Sequence, residues 1–180
     1  METDEALYSR LKNGDVRAFD VLYARYKKPL FSFLVRCLGG SRADAEDAFH
    51  EAFMNALRAP EAEFAREGGF RPWIFRIARN VALNRIRAGR RHAENVGRAP
   101  EAQSPPSAHE ALAAAQLRQA LDRAVAALPW SLAEVYHLRA SGLTQEEVAR
   151  VLEIPLGTLK SRVRLMVERL REELLPWAVD

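Results

Sequence analysis

The sequence predicts an all-α protein of two small helical domains joined by a flexible linker. Three observations predict it. Apolar residues recur at three- and four-residue steps through both halves of the 180 residues, and strand-like alternation appears nowhere. A fifteen-residue stretch, ENVGRAPEAQSPPSA (94–108), holds three prolines, one glycine, two serines and no apolar periodicity. The positive charge sits on one side of it: residues 1–93 carry 17 Lys and Arg against 12 Asp and Glu, 94–108 carry 1 against 2, and 109–180 carry 9 against 10. The expected organisation is therefore a first domain over 1–93, a linker over 94–108 and a second domain over 109–180. Such a linker reaches about 50 Å extended, or about 20 Å as a coil, so the domains are expected to be able to sit well apart.

From Asp15, a plausible N-cap, residues Phe19, Leu22, Tyr23, Tyr26, Leu30, Phe33, Leu34 and Cys37 mark one helical face until Gly39-Gly40 stops it. Pro29 lies inside that pattern and is expected to kink the helix. Ser41 caps a second helix with Ala45, Ala48, Phe49, Ala52, Phe53, Ala56 and Leu57 on its apolar stripe. Its other face carries Glu46, Asp47, His50, Glu51, Met54 and Asn55. A loop, APEAEFAREGG, leads to a third, arginine-rich helix.

In the second half, Leu117, Leu121, Ala124, Val125 and Leu128 share a face before Pro129. Two capping boxes follow, Ser131 with Glu134 and Thr144 with Glu147, each starting a short helix. Ile154-Pro155 ends the second of these, and a long helix starts near Leu156 or Thr158. Short elements followed by a long one at this spacing suggest a helix-turn-helix. Val148, Ala149, Leu152 and Ile154 are expected to pack on Leu159 and Val163, freeing the start of the last helix for a major groove. Leu165 points away from that core, and an exposed Leu there needs a thymine methyl or a protein partner to cover it.

Composition excludes several function classes. No apolar run approaches the roughly 18 residues of a membrane span, and the N-terminus is acidic where a secretion signal is basic and then apolar, so a cytoplasmic location without membrane insertion is expected. Cys37 is a lone cysteine at an apolar helical position and reads as a buried structural thiol. The four histidines, His50, His92, His109 and His137, are scattered, and neither a metal-ligand cluster nor a phosphate-cradling glycine loop is present. No catalytic residue, metal or cofactor is therefore expected.

The stretch FRPWIFRIARNVALNRIRAGRR (70–91) holds seven arginines and no acid. At 100° per residue, Trp73, Ile74, Ile77, Ala78, Val81 and Ala88 share one arc, while Arg76, Arg79, Asn80, Leu83, Arg87 and Arg90 share the opposite one. From Arg76 to Arg90 the stripe is about 21 Å long at about 1.5 Å per residue. Arginine offers planar paired donors to phosphates and guanine edges, and Asn80 among them can read a base. Phe75 falls outside both arcs and either stacks on an unpaired base or packs on a neighbour. A basic stripe of this kind is the footprint of a nucleic-acid partner.

Three motifs in this order, AEDAFHEAFMNAL (45–57), FRPWIFRIARNVALNRIRAGRR (70–91) and LTQEEVARVLEIPLGTLKSRV (143–163), resemble the extracytoplasmic-function group of bacterial RNA polymerase sigma factors. The resemblance implies a promoter-melting first domain and a minus-35-binding second domain. It implies that Asp47, His50, Glu51 and Met54 grip the beta-prime clamp helices of the RNA polymerase core. It places the loop from Phe64 to Arg71 around a base flipped from the minus-10 element of promoter DNA, with Arg76, Arg79, Asn80, Asn84 and Arg87 against that element. Asn84 lies on the apolar arc and is alternatively a buried structural amide. Thr158, Lys160, Ser161, Arg162 and Arg164 match the minus-35 reader, and an anti-sigma protein is implied as a further partner. Glu153 stands where the family's turn usually has glycine, so either its φ is positive and costs strain or the turn is differently shaped. The alternative is a stand-alone helix-turn-helix regulator, which the second half alone would permit.

Overall fold

The computed structural model describes residues 2–60, 64, 68–96 and 109–175, with 90–96 and 109–115 as backbone alone. Among these residues all regular structure is helical. Residues 97–108, most of the expected linker, lie outside the described residues.

The first helix, α1 (Asp4–Lys12), lies outside the elements read from periodicity, because its apolar face is only Leu7, Tyr8 and Leu11. Its signals are at the ends. The Thr3 hydroxyl accepts a hydrogen bond from the Ala6 amide, and Asp4 and Glu5 in the first turn with Arg10 and Lys12 in the last complement the helix dipole. Asp15 caps α2 (Val16–Cys37), which runs through Pro29 and ends where Gly39 and Gly40 take positive φ. Ser41 caps α3 (Arg42–Arg58), and its expected apolar stripe is buried, Leu57 partly.

The arginine-rich helix α4 (Phe70–Val96) begins after Gly68-Gly69. Glu5 of α1 accepts the Phe70 amide at 2.9 Å, so α1 supplies the carboxylate at the helix start. Tyr8 ties α1 to α3, its hydroxyl donating to the carbonyls of Ala56 (2.6 Å) and Ala59 (3.1 Å). Its ring packs on Phe64, Phe70 and Trp73 with centroids 5.5, 5.4 and 5.4 Å away. Phe75 is fully buried against Phe33, so it packs and does not present itself to a base. Asn84 is exposed, not a buried amide. Ala88 of the apolar arc is exposed as well, because it lies beyond the part of α4 that the bundle covers.

The second domain comprises α5 (His109–Ala127), α6 (Trp130–Ala140), α7 (Gln145–Leu152) and α8 (Leu156–Leu174). On α5, Leu117 is 51% exposed and Ala120 is buried, a departure from the expected face. The Thr144–Glu147 capping box forms in full. The Ser131–Glu134 box does not: α6 starts two residues earlier, after Pro129, with no side-chain cap, and Glu134 is used elsewhere. Glu153 ends α7 in the left-handed region with φ 54°. Behind it Val148, Val151 and Leu159 are buried, as is Leu138 of α6.

The two halves, which the linker would let sit apart, pack together. Helices α2 and α4 meet α6 and α7, and one continuous apolar core runs across both domains. The ends of the contact are polar and rich in arginine, and they carry the candidate site.

A left-handed conformation costs a residue with a Cβ about 1–2 kcal/mol, against the smaller entropic cost of glycine. Glu153→Gly is therefore expected to stabilise the chain by about 0.5–1 kcal/mol, read as a raised midpoint in chemical denaturation. A lowered midpoint would mean that the Glu153 ion pair outweighs the backbone strain.

Candidate nucleic-acid interface

Burial of the apolar arc of α4 sets where its arginines go. Trp73, Ile74, Phe75, Ala78 and Ala82 are sealed in the core, so Arg76 and Arg79 emerge on the opposite side, while Arg71 reaches out from the first turn of the helix. They emerge against the second domain. The Arg71 guanidinium donates to the Gly142 carbonyl at 3.0 Å and stands 3.9 Å from Glu147. Arg76 pairs with Glu153 at 2.9 Å. Arg79 donates through Nε (2.8 Å) and Nη2 (2.7 Å) to one oxygen of Glu134. Asn80, Asn84 and Arg87, the next part of the stripe, are exposed, and the Arg90 side chain lies outside the described residues.

The loop before α4 is covered from the same side. Arg150 of α7 donates to the Gly68 carbonyl at 3.3 Å. Gly68 is at φ 75°, a conformation that favours glycine, and a Cβ there would stand 2.7 Å from the Arg150 guanidinium and displace it. Phe64 is partly buried among Tyr8, Phe70 and Trp73, so its ring belongs to the core in this arrangement.

On α3, Asp47, His50, Glu51 and Met54 are all exposed on one face. Arg85 reaches them from α4, 3.0 Å from Glu51 and 4.0 Å from Asp47. That pairing stays within the first domain. At the start of α8, Thr158, Lys160, Ser161 and Arg164 are exposed, whereas Arg162 is half-buried with Nη1 3.5 Å from Glu134. Leu165, at 43%, is exposed as its helical position requires, and Val167, at 40%, is exposed as well.

Glu134 is the site residue that sequence reasoning missed. It is 3% exposed, and its two oxygens face Arg79 of α4 and Arg162 of α8. The signal was available: WSLAEVYHL is apolar on every side of this glutamate, and a carboxylate so placed requires a cation. The capping-box spacing gave it a different partner.

Beside it, Arg36 of α2 donates to the Ser141 hydroxyl at 2.6 Å and to the His137 carbonyl at 3.4 Å. His137 is buried, and its Nδ1 has no hydrogen-bond partner among the described residues. Burial, aided by the Arg36 charge, pushes its pKa down to about 4. Cys37, next to Arg36, is likewise buried, and burial pushes its thiol pKa up, which fits a structural and not a reactive role.

Two family models match the chain: Sigma-70 region 2 over residues 22–92 and Sigma-70, region 4 over residues 118–170. The ECF RNA polymerase sigma-E factor of Haemophilus influenzae is 31% identical over 185 residues, covering 97% of this chain and 96% of its own. The RNA polymerase sigma-H factor of Pseudomonas aeruginosa is 32% identical over 186 residues, covering 97% and 95%. Among solved structures, CnrH in complex with the cytosolic domain of CnrY superposes with a TM-score of 0.68 at 24% identity, covering 96% of this chain and 97% of that one. The sigma factor RpoE in complex with the anti-sigma factor NepR from Bartonella quintana gives 0.64 at 25% identity, covering 90% and 98%.

The His137 shift fixes a pH dependence. A histidine depressed from its ordinary 6.5 to about 4 stays neutral in the folded chain while the unfolded chain takes up a proton. Stability is then complete above about pH 6.5 and falls as pH drops toward about 4, by up to about 1.4 kcal/mol per unit. Denaturation midpoints at pH 7 and pH 5 should show this loss, and His137→Gln should reduce it. An equal loss in the variant would assign the dependence to other groups.

Proposed function

Because the chain belongs to the extracytoplasmic-function group of RNA polymerase sigma factors, we propose a division of labour for its residues. The family is regulatory and non-catalytic, and its members direct the polymerase core to promoter DNA. In this chain residues 1–93 would bind the core and the minus-10 element, 94–108 would link, and 109–180 would bind the minus-35 element. Among the described residues no helix is long and apolar enough to cross a membrane, which fits action beside polymerase in the cytoplasm.

The observation that carries the reading is the orientation of α4. Most of its apolar arc is consumed by the core, and Arg76, Arg79, Asn80 and Arg87 lie along the opposite side, with Arg71 in the first turn and Asn84 exposed beyond the covered part of the helix. The arginines would hold phosphates and can also reach guanine edges, while Asn80 and Asn84 would pair with bases. Melting then needs no chemistry, only a site that holds an extruded base, and each unstacking costs about a few kcal/mol. The loop at Phe64–Arg71 is that site in this proposal. On α8, Thr158, Lys160, Ser161, Arg162 and Arg164 would read the minus-35 major groove, with Leu165 available to a thymine methyl. An anti-sigma protein is the further partner, by extension from the solved CnrH and RpoE complexes.

Asp47, His50, Glu51 and Met54 would hold the core through charge and one flexible apolar side chain. Asp47→Arg with Glu51→Arg should abolish co-purification with polymerase core while circular dichroism remains helical. Undiminished co-purification would remove those residues from the core-binding surface. The function itself is tested by run-off transcription with core polymerase on genomic fragments. Discrete transcripts that require this chain are expected; template binding without transcripts would favour a stand-alone regulator.

A further inference from the structure

One large apolar side chain stands among polar neighbours on the outward face of α8. With Ser161 set at zero, Gly157, Arg164, Leu165 and Glu168 lie within about 60° of it around the helix. All are exposed, Leu165 by 43%. Farther along the helix Val167, Leu170, Leu174 and Leu175 line an apolar groove that does not include Leu165. Val167 is about 160° away from Leu165 around the helix, so a protein seated on Val167 leaves Leu165 uncovered.

Leu165 is placed to meet the floor of a groove. Gly157 and Ser161, on the turns before it, are small, and a Cβ on Gly157 would meet nothing within 4 Å. Leu165 follows Ser161 by one turn, about 6 Å along the axis. Its neighbours bring little charge or donor capacity of their own. The Ser161 hydroxyl donates to the Gly157 carbonyl at 3.2 Å, Arg162 is half-buried with Nη1 3.5 Å from Glu134, and the Arg164 Nε lies 3.9 Å from Glu168. A larger share of discrimination on this face therefore falls to the apolar side chain.

We infer that Leu165 reads the C5-methyl group of one pyrimidine in the minus-35 element, and that it accepts 5-methylcytosine as readily as thymine. The inference rests on the reading of α8 as the minus-35 helix. At the major-groove edge thymine presents a carbonyl acceptor and a methyl, whereas cytosine presents an amino donor and no methyl. Leucine has no polar atom with which to tell the acceptor from the donor. Only the methyl distinguishes the two bases for it, and methylation of cytosine at C5 puts the same group at the same place. Methylating one cytosine would thus turn a poor minus-35 element into a better one with no change of sequence.

The test uses holoenzyme formed from the full chain and polymerase core, on the promoter recovered by run-off transcription. Competition binding compares duplexes in which each thymine of the minus-35 element is replaced in turn by uracil, which removes the methyl alone. At one position uracil should weaken binding about fourfold, the equivalent of one buried methyl group. A C·G pair placed there should bind about fourfold tighter when its cytosine carries the C5 methyl. Leu165→Ala should abolish both differences, Leu165→Met should keep them, and Lys160→Ala should weaken every duplex alike. A methyl contact releases no counterion, so the ratio should hold as salt is raised. If scrambling the element weakens binding but no methyl does, the inference alone is overturned, as it is by a methyl effect that survives in Leu165→Ala. No transcript, or binding indifferent to a scrambled element, overturns the assignment of α8 as the minus-35 reader and the inference with it.

Discussion

Burial of one arc of α4 is the constraint on which the rest of the molecule depends. Removing a core aromatic costs about 3–5 kcal/mol, whereas an exposed ion pair contributes about 0–1 kcal/mol. Trp73 and Phe75 are both fully buried, so the rotation of α4 is decided by its apolar residues, and the arginines occupy whatever directions remain. Those directions divide in two. Arg85 turns toward α3 and lies among the exposed acids of its own domain. Arg71, Arg76 and Arg79 turn toward α6 and α7, where acids of the other domain receive them.

The two sets of pairs differ in what they do. Glu51 is exposed and Arg85 partly so, with side chains 48% and 32% exposed, so their pair adds little stability and a partner protein can recruit Glu51 at small cost. Arg79 and Glu134 are not: their side chains are 18% and 4% exposed, and water cannot replace the partner without separating the domains. Net charge reinforces the closure. The first domain carries 17 − 12 = +5 and the second 9 − 10 = −1, so the acids that meet α4 are a local concentration on a nearly neutral domain. The basic surface that suits a polyanion is thus the surface that suits Glu134, Glu147 and Glu153 when no polyanion is present.

Periodicity carried most of the fold. The spans of α2, α3, α7 and α8 and the caps at Asp15, Ser41 and Thr144 all follow from local chemistry that a linear pattern displays. The failures share a cause. Leu117 belongs to the apolar face of α5 by spacing, but half of it stays exposed among the described residues and Ala120 is buried in its place. Ala88 and Asn84 lie on the apolar arc of α4, but the bundle ends before it reaches them. Periodicity states which face is apolar and not how far the neighbouring helices extend. Of the site, the exposed face of α3 and the stripe of α4 were legible as patterns; that the stripe's first arginines are occupied was not, since their partners lie more than fifty residues away in sequence. Glu134 shows the difficulty best. Ser131-x-x-Glu134 satisfies the capping-box spacing, yet Pro129 already sets the start of α6, and the glutamate is released to a long-range partner.

Tethering explains why so few bonds suffice to close the chain. Two modules joined by a short segment see one another at an effective concentration in the millimolar range, so a contact too weak to be detected between separate domains can dominate within one chain. A few hydrogen-bonded arginines on carboxylates, over an apolar seam at α2 and α6, meet that requirement without making closure irreversible.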